Sequence, residues 1–408
     1  MSARLSLFAG FGVELEYMLV DAETLDVRPA ADRLLAAQAG EIVAEVEVGA
    51  ISWSNELVLH VIELKTHGPA ASLEPLTALF QESVRRIGSL LEPMGMRLLP
   101  TGMHPWMDPA TETKLWPHEY SAVYEAYDRI FSCQGHGWSN LQSAHLNLPF
   151  ADDEEFGRLH AAIRLLLPLL PALAASSPLA DGRLQPWRDY RMEVYRTNSA
   201  RVPEVAGQVV PERAFSEAEY RERIFAPMMG AMAALDPAGV LEEEFLNSRG
   251  AIARFGRGSI EIRVVDVQEC PQADLAIVAA TVAVLRGLVE ERWLDSASQR
   301  AFATDRLAAV LRATARDAEA AEVDQALARA LGRGAMRSAG EVWRSLIEGA
   351  SARGALDSVF EPALEHLLAR GTLATRIARA VGEHPDRARL AVVYGELADC
   401  LAAGRLFG

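Results

Sequence analysis

Cysteine is scarce: Cys133, Cys270 and Cys400 are the only three in 408 residues. Their odd number and wide separation offer neither a disulfide framework nor a zinc-ligand spacing, and they suit a reducing compartment where thiols act as small core residues. Long apolar runs are missing as well. The longest, Leu165–Ala175, interrupted by Pro168 and Pro171, and Leu275–Leu285, fall short of a bilayer span. No apolar h-region with a cleavage pattern opens the chain, so a soluble, cytoplasmic protein is expected. Positive charge is in deficit, with 40 Lys and Arg against 56 Asp and Glu and a net charge of −16. That balance excludes the basic footprint on which nucleic acid and anionic membranes dock. It would also repel a nucleoside triphosphate unless cations or a local arginine cluster intervene. Walker A, dinucleotide GxGxxG, serine-elbow and zincin motifs are all absent.

What is present divides the chain in two. Strand patterns occupy Phe11–Val20, Ile42–Val48, about Leu57–Lys65, Arg97–Met103, Leu141–Leu148 and Ser259–Val267. Between them, helical periodicity covers Leu73–Leu91, Glu119–Phe131, Asp152–Ala175 and Ser216–Leu235. A polar, Arg- and Pro-rich stretch over 176–213 reads as a functional or covering loop. From Ala273 onward nearly everything has a 3.6-residue period broken by glycines, which predicts packed helices. The expectation is an α+β catalytic region over 1–295 and a helical C-terminal subdomain over 296–408 packed on it.

The chemistry-bearing residues sit on the strands. Side chains alternate along a strand, so Glu14 and Glu16 share one face while Val13, Leu15, Tyr17 and Leu19 fill the other. Taken alone, such a pair reads first as a solvated polar face on a half-buried strand. The arrangement recurs, however. Glu261 and Arg263 share a face in Ser259–Asp266, and Ser143, His145 and Asn147 share one in Leu141–Leu148. Arg249, Arg254 and Arg257 just upstream make, with Arg263, a local anion site in an acidic protein. Glu56 and Glu63 have odd spacing, so an ideal strand would place them on opposite faces. Both reach one site only if a bulge intervenes or if Glu56 precedes the regular strand. Carboxylates and an imidazole gathered in this way bind hard divalent cations, Mg²⁺ or Mn²⁺, which bridge to phosphate oxygens.

Five segments in order carry a family resemblance: Gly12-Val-Glu-Leu-Glu-Tyr17, Asn55-Glu56 through Ile62-Glu63-Leu-Lys-Thr66, Thr101-Gly-Met-His-Pro105, Gln142-Ser-Ala-His145-Leu-Asn147 and Ser259-Ile-Glu-Ile-Arg-Val-Val-Asp266. The chain resembles the glutamate–cysteine ligases, and within them the bacterial carboxylate–amine ligase branch, over roughly residues 10–290. The resemblance implies a glutamine-synthetase-like fold, in which a curved, mainly antiparallel sheet forms a half-open funnel with helices outside. It implies ATP-dependent formation of a γ-glutamyl amide through an acyl phosphate, from glutamate and an amine, cysteine first, as in glutathione biosynthesis. Glu14, Glu56, Glu63 and Glu261 would then ligate metal near the reacting carboxylate. Glu16 and His145 would hold metal on the ATP phosphates, and Arg263 would face the transferred phosphoryl group. Nucleotide would meet Arg249, Arg254 or Arg257; substrate would meet His104, Tyr195, Arg196 and Arg201, within a covering stretch that also carries Arg188 and Arg191. Ser143 departs from the branch, where many relatives carry another histidine. A kinase on the same fold and a non-catalytic nucleotide- or amino-acid-binding regulator stay open, as does a homo-oligomer.

Overall fold

The structure, a computed structural model, describes residues 4–408; residues 1–3 of the expected catalytic region lie outside the described residues. Among the described residues ten strands occur: β1 (Gly12–Asp21), β2 (Glu45–Val48), β3 (Ile51–Asn55), β4 (Val61–Thr66), β5 (Met96–Leu99), β6 (Ser143–Pro149), β7 (Leu179–Ala180), β8 (Arg183–Leu184), β9 (Ala251–Arg254) and β10 (Ser259–Asp266). Eight of them form one open sheet in the order β2-β3-β4-β1-β6-β10-β9, with β5 paired to the far half of β1. Every pairing in it is antiparallel. β7 and β8 make a separate small hairpin.

β1 shows why the sheet is half polar. Val13, Leu15, Tyr17 and Leu19 are fully buried on one face, in the main apolar cluster with the helices Leu76–Leu91, Asp153–Leu166 and Pro271–Val289. The opposite face carries Glu14 and Glu16 first, then Met18 and Val20. Met18 and Val20 are covered by a second cluster containing Leu373, Ile377, Leu390, Val393, Tyr394 and Leu397 of the helices Leu373–Val381 and Arg387–Ala403. The helical C-terminal stretch therefore closes the apolar half of that face and leaves the acidic half open.

Several elements differ from the sequence reading. The segment before Lys65 is two strands, β3 and β4, joined by a turn that carries Glu56. Ile42–Val48 shortens to β2, and β5 stops at Leu99, just before Thr101 adopts a φ of +87°. The helix expected over Asp152–Ala175 is capped by Asp152, runs to Leu166, and is broken by Pro168 and Pro171 into single turns. The polar stretch contains the helix Tyr190–Asn198, whose pattern is hidden because Arg191 and Tyr195 are buried on it. The apolar run at Leu275 extends into a 19-residue helix, long and apolar enough to cross a membrane by composition. It is 89% buried inside this protein, so its apolarity is that of a central core helix.

Candidate active site

Antiparallel register aligns the polar side chains into rows across the open half of the sheet. Ser54, Glu63 and Glu16 lie opposite one another on β3, β4 and β1. Ser52, Lys65, Glu14 and His145 form the next row, and Gly12, Asn147 and Glu261 a third. Gly12 is required by close packing, since a Cβ there would lie 2.8 Å from Cβ of Asn147. Glu56 joins from the turn after β3, so it does precede the regular strand and no bulge is needed at that point.

The bulge is elsewhere. Ile262 pairs with Leu146 and Val265 with Ala144, so Arg263 and Val264 together face His145. One extra residue keeps Arg263 in the cavity, sends Val264 and Val265 to the core, and turns Asp266 back to the polar face opposite Ser143. There Asp266 takes a hydrogen bond from Arg191 Nε and others from Ser176 N (2.8 Å) and Ser177 Oγ (2.7 Å). Arg191, which also donates to the Arg263 carbonyl at 3.1 Å, is thereby fixed at the cavity wall.

Short contacts tie the acidic cluster together. His145 Nδ1 lies 2.7 Å from Glu14 Oε2 and its Nε2 lies 2.9 Å from Ser143 Oγ. Glu16 accepts from Ser143 N at 2.7 Å, and Glu63 accepts from Ser54 Oγ at 2.7 Å and pairs with Lys65 at 3.2 Å. Glu261 is held between Arg254 (3.0 Å) and Arg263 (3.1 Å). One ligand atom from each of Glu14, Glu63 and His145 falls within 4.8 Å of the others, and the same holds for Glu16, Glu56 and Glu63.

Electrostatics mark the cluster as short of positive charge. Burial raises Glu63 to about 7, helped by the Glu14 charge and opposed by Lys65 and Ser54. Burial, with Glu16 and Glu63 beside it, raises Glu56 well above the carboxylate range. Burial would raise Glu14 too, but the hydrogen bond and charge of His145, with Lys65 and Arg263, bring it down to about 2. Burial acts to lower His145, yet Glu14 and Glu16 lift it to about 9. Proton and imidazolium thus neutralise part of the cluster. Oxygen donors with one imidazole and unrelieved like-charge repulsion fit a hard divalent cation.

Glu14, Glu16, Glu56, Glu63, His145, Glu261, Arg263, Arg254, Arg257 and Tyr195 all line one cavity of about 1120 Å³. The structure corrects the remaining expectations. His104 is fully buried between the Leu25 carbonyl and the amide of Met107, and burial pushes it down to about 3. Arg249 is 3% exposed and gripped by both oxygens of Glu212, away from the cavity. Arg196 pairs with Glu193 on its own helix, and Arg201 donates to the Ile130 carbonyl at 2.7 Å; neither lines the cavity. In this structure the ligand atoms of His145 lie near those of Glu14 and Glu63, and those of Glu16 near Glu56 and Glu63, while Glu261 is paired with Arg254 and Arg263. Sequence reading missed Lys65 as a site residue, although it alternates with Glu63 on one strand. Arg191 had been only one of several arginines in the covering stretch, and nothing local joins it to Asp266.

Residues 10–393 match the sequence model of glutamate-cysteine ligase family 2. The chain belongs to that family. It is an ATP-dependent ligase of the glutamate–cysteine ligase type. An uncharacterised protein of Archaeoglobus fulgidus is 39% identical over 286 residues, 70% of this chain and 76% of that protein. Among solved structures, a glutamate–cysteine ligase from Francisella tularensis in complex with AMP superposes with a TM-score of 0.55 at 12% identity, covering 97% of this chain and 88% of that one. A bifunctional glutathione synthetase from Pasteurella multocida gives 0.53 at 14% identity, over 98% of this chain but only 52% of that one. At these identities the superpositions establish a shared mixed α/β fold built on a mainly antiparallel sheet.

Proposed function

We propose that this protein uses ATP to activate the γ-carboxylate of glutamate and joins it to an amine, giving a γ-glutamyl amide. The observation that carries the reading is the convergence of Glu14, Glu16, Glu56, Glu63 and His145 beside Arg263 in one cavity. Phosphoryl transfer needs positioning and charge neutralisation more than a covalent catalyst. Glu14, Glu63 and His145 would hold one Mg²⁺ or Mn²⁺, and Glu16, Glu56 and Glu63 a second. Bound metal supplies neutralisation of the phosphate oxygens.

The chain's own residues do the rest. A carboxylate oxygen of glutamate attacks the γ-phosphorus, ADP leaves with the bridging oxygen, and Arg263 faces the charge that develops. Glu261 holds Arg263 on one side while Arg254 stands on the other. Arg191, locked by Asp266, offers a guanidinium for a substrate carboxylate. The amine nitrogen then attacks the acyl carbon and the C–O bond to phosphate breaks. Of the two protons the ammonium gives up, the departing phosphate takes one and solvent the other. An acyl phosphate hydrolyses if wetted, so a cavity walled in part by Arg191, Tyr195 and Asn198 of the 176–213 stretch suits the reaction. Every cavity-lining residue lies between Arg4 and Arg263, which supports a catalytic region over 1–295 with 296–408 as its helical support.

Purified protein with Mg²⁺, ATP, glutamate and an amine should release ADP and phosphate, and phosphate release should require the amine. A stable phosphorylated product formed without amine would mean a kinase and overturn the reading.

A further inference from the structure

The cavity has two unlike limits. Around Gly10, Gly12, Gly256 and Gly258 it is lined by small residues and by Arg4, Arg254 and Arg257, which suits a polyphosphate. Next to Glu56 and Arg263 it is lined by rings. Tyr124 and Tyr127 come from the helix Ser121–Phe131, Trp138 from His136–Ser139, Tyr195 from Tyr190–Asn198 and Phe245 from Glu243–Leu246. Tyr127 is the hub, 5.3 Å between ring centroids from Trp138 and 5.8 Å from Phe245.

The polar ends of these rings are engaged by the protein. Tyr127 donates to the Phe245 carbonyl at 3.0 Å, Trp138 Nε1 donates to the Asn198 carbonyl at 3.0 Å, and Tyr124 accepts from Asn55 at 3.0 Å. What the wall offers a ligand is therefore ring surface, that of Tyr124, Trp138 and Phe245, backed by the buried rings of Tyr127 and Tyr195. Phe245 stays 48% exposed at the rim, an uncovered apolar side chain that a bound ring would bury. Glutamate, with two carboxylates, needs cations and not rings. The triphosphate is accounted for at the arginine limit. The wall stands beside Arg263 and Glu56, at the end where the phosphoryl group is transferred, whereas adenine is carried on the opposite end of the triphosphate; the acceptor, which must reach the acyl carbon, is the substrate left for this wall, and a cysteine side chain is too small and polar to cover it.

Resting on the ligase reading above, we infer that the ring wall is the acceptor subsite and that the coupled amine carries an aromatic group, as an aromatic amino acid or an arylalkylamine does. Cysteine is then a poor acceptor. The test is a coupled phosphate-release assay with ATP, Mg²⁺ and glutamate against cysteine, alanine, phenylalanine, tyrosine, phenethylamine and tyramine, with each amide verified by mass spectrometry. An aromatic amine should exceed cysteine and alanine in kcat/KM by at least about tenfold. Comparing phenylalanine with phenethylamine tells whether the acceptor's own carboxylate is read. Preference for cysteine or alanine overturns the subsite while leaving the ligase reading intact; no amide with any amine overturns both. Phe245→Ala, at an exposed position where folding is not at stake, and Trp138→Leu should each raise KM for the aromatic amine at least about fivefold and move KM for ATP less than about twofold. A rise in KM for ATP instead would put the adenine on the wall and overturn the proposal.

Discussion

Glu63 belongs to both ligand groups, and its environment already resists ionisation at neutral pH. Replacing it by glutamine keeps the shape and removes the shared charge, so Glu63→Gln should lower turnover by at least about 100-fold and raise the Mg²⁺ concentration needed for half-maximal rate. Wild-type turnover in that variant, measured by ADP release across a Mg²⁺ titration, would remove the metal assignment. The same cluster sets a pH dependence. Glu63, ordinarily near 4.5, sits at about 7, and His145, ordinarily near 6.5, sits at about 9. Both folded values are raised, so each group contributes stability that is full below its unfolded value and lost as pH rises through its folded value. Glu14, held at about 2, works the other way and loses its contribution only as pH falls below the ordinary carboxylate range. Metal-free protein should therefore lose on the order of 5 kcal/mol from Glu63 and His145 between about pH 5 and pH 9. Mg²⁺, which competes with those protons, should raise Tm more at pH 8 than at pH 6. Thermal melts in chelator and in Mg²⁺ at each pH decide it; an equal Mg²⁺ increment at both pH values would contradict the assignment.

Among the elements, β1, β6 and β10 were legible because alternation along a single strand shows which residues share a face. Glu14 with Glu16, and Glu261 with Arg263, are visible in that way. What alternation cannot show is cross-strand register, so the contact of His145 with Glu14 and the pairing of Glu63 with Ser54 come only with the fold. The bulge at Arg263 and Val264 was hidden for the same reason, since one extra residue leaves no local signature. The odd spacing of Glu56 did announce an irregularity, and it is the β3–β4 turn. His104 and Arg249 misled because motif position and charge say nothing about burial. The closeness of β1 and β6 depends on Gly12, where an added Cβ would meet Asn147. Gly12→Ala should cost about 1–3 kcal/mol through overpacking. It should also lower activity beyond what the stability loss explains, because it displaces the strands that carry Glu14 and His145. Chemical denaturation alongside a rate measured well below the unfolding transition separates the two effects. A variant that is destabilised yet fully active would show that this spacing does not govern the chemistry.

For the whole molecule, the question is what the helical C-terminal stretch does if it lends no residue to the cavity. Its helices complete both faces of the sheet. Leu307, Trp343, Leu346 and Leu364 join the main cluster around Pro271–Val289, while Leu390, Tyr394 and Leu397 cover Met18 and Val20 on the same strand as Glu14 and Glu16. A buried ion pair between Arg376 and Glu269 (2.6 Å), with Arg376 also holding the Phe407 carbonyl, pins this stretch just beyond β10. Two regions that share their core cannot be separated at low cost, because exposed apolar area and an uncompensated buried carboxylate both count against the fragment. A chain ending at residue 295 should thus fail to fold, although it keeps every cavity residue. Expression followed by size exclusion and circular dichroism should show aggregate or a non-cooperative melt. Arg376→Ala in the full chain is the milder form of the same test. It strands the Glu269 charge and should destabilise by about 3–5 kcal/mol, with KM values unchanged if the protein is assayed well below its melting temperature. A soluble, cooperatively melting 1–295 fragment would instead make the C-terminal helices an independent unit, with a role other than completing the fold of the catalytic sheet.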